Sequence, residues 1–494
     1  MPSQRTNTDR NSDVAYPSVH LSRLAFGSCH SRGAVDKRLS KSRSNNNGGL
    51  VANSTIWDVI TATVEPQAFL WTGDAIYPPM KLKGDTPLDV MQDEYKQMMT
   101  NETLGYANFR RNQHLIGGLH GVWDDHDYGG NDRGRELTDK KRRRDVYLDF
   151  LGVSRSDTTR RQRRGLYSSV EFGSDIESNY STHYAHSDER HNNKVKVIFL
   201  DTRWHREKHC IPSVGSNPYI PFGAIVACIT RWITAGLDLP SYLPSWICSS
   251  RKLNAILGEE QWMWLEQELK GSSASVHIIV SSIQVLTTNP VVESWGHFPH
   301  EREKLLKLLN TVSGVIILSG DVHHAEISTT SSHHLTRSRI HSNKGAIVEV
   351  TSSGLTHSCD GPKIYGPLCR PILNLFPSHR FEGGNVKDVS LPSYYTGVNF
   401  GSIDFDWPSR SFEVNVHDEH GDVFLSTGSL GMDSSAGLTT KELEVVAKCI
   451  DGHFLGIVTR MKYPTVVIFL LFCCYFWKPV SSRLNWKSRH DKKD

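Results

Sequence analysis

At 494 residues the chain is longer than a usual single domain, and a 38% hydrophobic share is enough to build a core. A formal charge of only +3 gives no whole-chain signal for a nucleic-acid partner. Nine cysteines, an odd number without compact spacing, define no disulfide framework.

Residues 1–20 are polar, predict a disordered N-terminus and lack the apolar core of a signal peptide. Residues 21–26 are a short apolar run ending in Gly27-Ser28-Cys29-His30, which reads as a buried strand followed by a tight turn. A Ser/Asn/Gly-rich loop at 40–49 follows. Residues 68–71 repeat the strand pattern and end in Thr72-Gly73-Asp74-Ala75-Ile76-Tyr77. Residues 115–122 lead into Trp123-Asp124-Asp125-His126-Asp127-Tyr128-Gly129-Gly130-Asn131-Asp132, with three carboxylates and an imidazole in four consecutive positions. Packing alone would not select such a run, since charged groups are seldom buried unless paired or metal-bound. Val146, Tyr147, Phe150 and Leu151 predict a helix over 138–151. Its basic run at 140–144, like that at 160–164, reads as a solvated face; contact with anionic lipid headgroups or anionic substrates is the alternative. A second helix is expected at 257–269, with Leu257, Trp262, Leu265 and Leu269 near one face and Met263 and Trp264 in the core. Residues 315–318 end in Ser319-Gly320-Asp321-Val322-His323-His324-Ala325. Strands are expected at 346–350 and 398–405, and an alternating strand at 411–416 closes a second sheet.

Four junctions therefore share one form: apolar strand, small residue, then metal-ligand side chains. Carboxylates favour hard cations, whereas the Cys29 thiolate and Tyr77 phenolate suit a redox-type metal such as ferric iron. At the end of buried strands, such clusters mark the reaction centre of α/β enzymes.

The chain resembles the PhoD-like (alkaline phosphatase D) branch of the metallophosphoesterases. The resemblance rests on Phe26–Cys29, Gly73–Tyr77, Trp123–Asp132, Leu200–Arg203 and Ser319–Ala325, in that order. Gly258–Trp262, Ser281–Gln284, Glu293–Gly296 and Thr351–Leu355 add likeness to eukaryotic members. The resemblance implies an α/β fold, a four-layer αββα sandwich, and metal-dependent phosphate ester hydrolysis. It implies that Asp74 bridges two metals, that Cys29 and Tyr77 bind iron, and that Asp125 binds the second metal. Asp321 and His323 match the terminal ligands, Asn131 is an additional one, and Asp124 is either a ligand or a partner orienting His126. His126 matches the histidine that touches the scissile phosphate. Arg203 is a candidate phosphate clamp, or else half of a structural ion pair with a carboxylate such as Asp201. Ser281–Gln284 fills a region where the wider superfamily usually carries a histidine, which points to oxygen ligands, hence Fe3+ with Ca2+. Two metals a few ångströms apart hold a shared water as hydroxide for in-line attack on phosphorus. A phosphodiesterase acting on lipid headgroups, polymers or nucleotides, and a membrane-tethered binding protein without turnover, are the alternatives.

Two segments depart from the family pattern within an expected domain at 21–430. Residues 210–250, with Cys210, Cys228 and Cys248, read as an apolar insertion: a packed loop, a lid or an interface element. After a linker at 431–459, residues 465–477 are continuously apolar, with Arg460, Lys462 and Lys478 alongside. This predicts a single-pass membrane anchor at 460–480 and a basic tail at 481–494. The basic tail favours a lumenal or external catalytic domain, the missing signal peptide a cytosolic one. Cys359 and Cys369 could pair if the domain is lumenal; otherwise they are two free thiols.

Overall fold

The computed structural model describes residues 13–37, 54–78, 85–173, 193–208, 223–236, 255–330, 346–361, 366–376, 379–433 and 435–448. Its strands are β1 (Val14–Tyr16), β2 (Arg23–Gly27), β3 (Ala68–Thr72), β4 (Gly118–Val122), β5 (Ser168–Phe172), β6 (Val195–Leu200) and β7 (Val276–Ser281). They continue with β8 (Val315–Ser319), β9 (Ala325–Thr329), β10 (Val348–Ser352), β11 (Tyr394–Tyr395), β12 (Asn399–Asp406), β13 (Ser411–Asp418) and β14 (Val423–Gly431). Among the described residues they form an eight-stranded sheet, β1-β5-β6-β7-β8-β10-β9-β11, and a six-stranded sheet, β14-β13-β12-β2-β3-β4.

In the larger sheet β6, β7, β8 and β10 run parallel, and in the smaller one so do β2, β3 and β4. Buried parallel strands carry apolar residues on both faces, and alternation then decides which face each side chain serves. Val197, Phe199, Ile278, Val280, Ile316 and Leu318 share a cluster with Phe26, Leu70 and Val122 of the smaller sheet. The intervening Ile198, Leu200, Ile279 and Ile317 point into a second cluster with Trp262, Leu265, Leu305, Leu306 and Leu443. Those partners lie on the helices Glu259–Lys270, Pro299–Leu309 and Thr440–Lys448.

Several local expectations change in three dimensions. The expected helix at 138–151 is Lys140–Phe150, but Arg143 and Arg144 of its basic run are buried. Arg143 donates to the Thr86 carbonyl and Asp139, and Arg144 lies over the Trp204 ring. The exposed part of that run is thus Lys141 and Arg142. Met263 is 51% exposed, not a core residue, because the helix turns it away from the sheet. β1 lies within the N-terminal segment read as disordered, where it pairs with β5. Within the expected linker at 431–459, Ala436, Leu438, Leu443 and Val446 pack into the second cluster. Cys359 and Cys369 form a disulfide. The apolar run at 465–477 lies outside the described residues. Among the described residues no helix is long and apolar enough to cross a membrane.

Burial holds the His120 imidazole down at about 4 from its ordinary 6.5. Its Nε2 lies 2.7 Å from the Gly117 carbonyl, and its ring packs on Tyr16 and Phe172. A base with a lowered folded value supports the fold fully above the unfolded value and loses that support as pH falls. Between pH 6.5 and 4 the wild type should therefore lose stability faster than His120→Gln. Denaturant titrations across that window check this; parallel curves for the two proteins would refute it.

Candidate metal and phosphate site

The parallel strands of both sheets deliver their C-terminal ends to one place. Cys29 follows β2, Asp74 follows β3, and Asp124 and Asp125 follow β4. Arg203 follows β6, Ser282 β7, Asp321 β8 and Ser353 β10. Ser28 bridges to Ser353, joining the two sheets at the floor of the site. Cys29, Asp74, Asp132, Asp321 and His323 all have positive φ, between 50° and 73°. Non-glycine residues seldom adopt this conformation, and such outliers concentrate where chemistry fixes the backbone.

One oxygen each from Asp74, Asp124, Asp125 and Asp321 lies within 4.8 Å of the others. Asp74, Asp125 and His126 form an overlapping group at the same spacing. Asp74 makes contacts with both of its oxygens. Its Oδ2 accepts the Tyr77 hydroxyl at 2.5 Å and lies 3.8 Å from Cys29 Sγ, while its Oδ1 accepts the His126 amide at 3.3 Å. Burial, then the charges of Asp125, Cys29, Asp124 and Asp127, hold its carboxyl well above the usual range. Burial followed by the charges of Asp124 and Asp125 does the same to Asp321. Burial pushes Asp125 up, but the charges of His126 and Arg203 and the Asp132 amide together bring it below the usual range.

Cys29 is fully buried, and its Sγ lies 3.1 Å from Ser353 Oγ, which also accepts the His323 amide at 2.9 Å. Burial raises the thiol, and it lowers His323 to about 4. His126 is the more open imidazole, with 29% of its side chain exposed. Its ring lies 4.1 Å from that of Tyr77, which also meets His323 and His357.

Arg203, offered by the sequence as a phosphate clamp, is wholly buried. It donates to Asp124 Oδ1 at 2.6 Å and to Glu293 at 2.9 and 3.0 Å. Asp201 takes the Arg203 backbone amide and the Trp123 indole instead. A guanidinium so enclosed orients Asp124 and cannot reach an incoming phosphate without breaking both pairs. Ser282 supplies the other donor to Asp124 Oδ1, at 2.6 Å. Asn131 is half-buried beside this cluster, and its neighbour Asp132 groups with Asp125 and Glu293.

Other residues at the site had no role assigned from sequence. Asp127 accepts the amides of Ala75, Ile76 and Asp124 and the Tyr95 hydroxyl, tying the turns that carry Asp74 and Asp125 together. Its signal was local: Asp124 and Asp127 make a capping box on the single turn Asp125–Tyr128. Glu293, Ser282 and Ser353 stood in motifs whose wording gave no contact. Gly73 has φ +108°, and a Cβ there would lie 2.6 Å from Asp124 Cβ. Gly73→Ala should cost about 1–3 kcal/mol from backbone strain alone and weaken metal binding by displacing Asp124. Wild-type stability and wild-type metal titration in that variant would contradict this.

The residues fit a cation on their own chemistry. Asp124 Oδ2, Asp125 Oδ1 and His323 Nδ1 are buried without a hydrogen-bond partner among the described residues. Such atoms are costly unless something absent from the chain satisfies them. Mutually repelling carboxylates arranged around orphaned donors suit a hard ion.

A PhoD structure is similar to the chain at 13% identity and a TM-score of 0.46, covering 90% of this chain and 79% of the other. A structure of GAP50, the anchor in the inner membrane complex of Plasmodium, is similar at 12% identity and a TM-score of 0.40, covering 87% and 96%. No curated protein matches. The sequence model of the PhoD-like phosphatases matches residues 52–368, well over half of the chain. The chain therefore belongs to the PhoD-like phosphatase family and is a phosphoric ester hydrolase.

Proposed function

We propose that the chain is a phosphomonoesterase with a centre of two metal ions, iron with calcium, in a four-layer αββα domain. The observation that carries this reading is the convergence of Asp74, Asp124, Asp125 and Asp321, two of them with an orphaned oxygen. Cys29, Tyr77 and Asp74 would hold one ion. Asp74, Asp125, Asp321 and His323, with Asn131 and Asp124 Oδ2 alongside, would serve the second. Bound ions of this kind activate water and neutralise phosphoryl oxygens.

The chain's own residues do the positioning. Asp127 locks the Asp74 turn to the Asp125 turn, so the ligand oxygens are set before substrate arrives. Arg203 and Ser282 aim Asp124. His126, half-exposed above the carboxylates, would touch the scissile phosphate and steady the transition state. Anchoring by residues 460–480 belongs to the same proposal and is supported by the apolar run at 465–477 with Lys462 and Lys478 at its edges. Extraction of the full chain from membranes by salt alone would count against the anchor.

The deciding experiment is hydrolysis of a chromogenic phosphomonoester beside the matching diester, using metal-loaded full-length chain in detergent. Turnover of the monoester that is lost in both Asp125→Asn and His126→Ala supports the reading. Preference for the diester moves it to a phosphodiesterase, and a folded, metal-loaded protein without turnover moves it to a binding role.

A further inference from the structure

The insertion at 210–250 supplies a helix, Gly223–Gly236, whose Ala227, Arg231 and Thr234 are buried. Their spacing puts them on one helical face. Trp232 of the same helix and Val291 of the loop that leads to Glu293 both pack against Phe376. Arg231 reaches from this helix to Asp132. Its Nη1 donates to both oxygens of Asp132, at 3.1 and 2.9 Å, and its Nε donates to the Val291 carbonyl at 2.9 Å. Its Nη2 reaches Cys228 Sγ at 3.6 Å.

Asp132 connects this helix to the ligand cluster. Its backbone amide donates to Asp125 Oδ2 at 2.9 Å, and Asp125 Oδ1 is the oxygen left buried without a hydrogen bond among the described residues. The bond therefore dictates which Asp125 oxygen remains for a cation. Asp132 holds φ +58°, and its carbonyl accepts Arg206 Nη1 at 3.0 Å. Oxygens of Asp125, Asp132 and Glu293 crowd within 4.8 Å of one another. Arg203 and Arg206 pair with Glu293, and Arg231 pairs directly with Asp132. Without its charge Asp132 would sit close to the Asp125 carboxylate with less to hold it, and the Asp132 amide would loosen from Asp125.

We propose that Arg231, from the insertion helix, is a positioning residue of the metal centre: it fixes Asp132 and through it orients Asp125. This rests on the metal-centre reading above. It makes the insertion a working part of the site, not a cover over it.

The test measures Mn2+ binding alone, by titration calorimetry on full-length metal-free protein, for wild type, Arg231→Met and Arg231→Lys. Outer partners of metal ligands typically change affinity 10–100-fold. Arg231→Met should weaken Mn2+ by about that factor, and Arg231→Lys should fall between, since lysine keeps the charge but not the fork. In turnover, kcat should fall while KM for the ester stays near wild type. Thermal melts of the metal-free proteins report folding. If Arg231→Met fails to fold, Arg231→Lys decides the matter. Isotherms that superimpose on wild type, whatever the melting temperatures, would overturn the proposal while leaving the phosphatase reading intact. A wild type that binds no Mn2+ and hydrolyses no ester would overturn both.

Discussion

Asp74→Asn should abolish most ester hydrolysis, by more than about a hundredfold, yet stabilise the metal-free protein. The two effects have one origin. Asp74 faces Cys29 and Tyr77 with one oxygen and the His126 amide with the other, so in the proposed centre its charge would serve both ions. Losing a ligand should exceed the 10–100-fold that even outer partners produce. Without a cation the same charge is a liability, because burial and the neighbouring Asp125 both oppose it. Asparagine keeps the shape and tolerates the φ of +50° found here, so the backbone is not at issue. Metal titration, turnover and denaturant unfolding of the apo protein check the pair of effects. A variant within tenfold of wild-type turnover, or a less stable apo protein, would show that Asp74 is structural.

Arg203→Met should cost the fold about 3–5 kcal/mol, the usual penalty for leaving buried charges without their partner. Arg203 has no exposure, and neither has Asp124, while Glu293 is 2% exposed. Removing the guanidinium leaves Asp124 with Ser282 as its remaining side-chain donor on Oδ1. Glu293 would retain Arg206. The double variant Arg203→Met/Glu293→Gln should recover part of the loss, because one of the two buried carboxylates that faced the guanidinium is gone. Turnover should fall in both, since Asp124 is no longer aimed. Equal stability of wild type and Arg203→Met in urea titrations would mean that this network carries little of the fold.

What the sequence disclosed was local. The strand–turn junctions at Cys29, Asp74, Asp125 and Asp321 could be read because an apolar run, a small residue and a ligand-type side chain are neighbours in sequence. The family match places the chain without further help. Partners set by the fold alone could not be read. Glu293 reaches Arg203 from 90 positions away, and Ser353 reaches Cys29 from 324. Nothing in the insertion's composition marked Arg231 as facing Asp132, and an apolar helix with one arginine reads equally well as surface packing. Arg203 illustrates the limit best: either of its two expected roles suited its sequence, and its actual pairing with Asp124 and Glu293 depends on where β4, β6 and the 289–293 loop end.

The bridge between Ser28 and Ser353 has a consequence for how the chain folds. β12 (Asn399–Asp406) pairs with β2 (Arg23–Gly27), and Asn399 reaches back to Ser352 at 2.9 Å. The floor of the site thus requires chain ends far apart in sequence to meet, which makes closure entropically expensive and slow. On a ribosome, Cys29, Asp74 and Asp125 emerge long before Asp321, His323 and Ser353. The early half of the centre must wait, its carboxylates in water, until the late strands arrive to bury them. Completion of the site and completion of the native topology would then coincide, and a cation bound there would act as a latch on the finished fold.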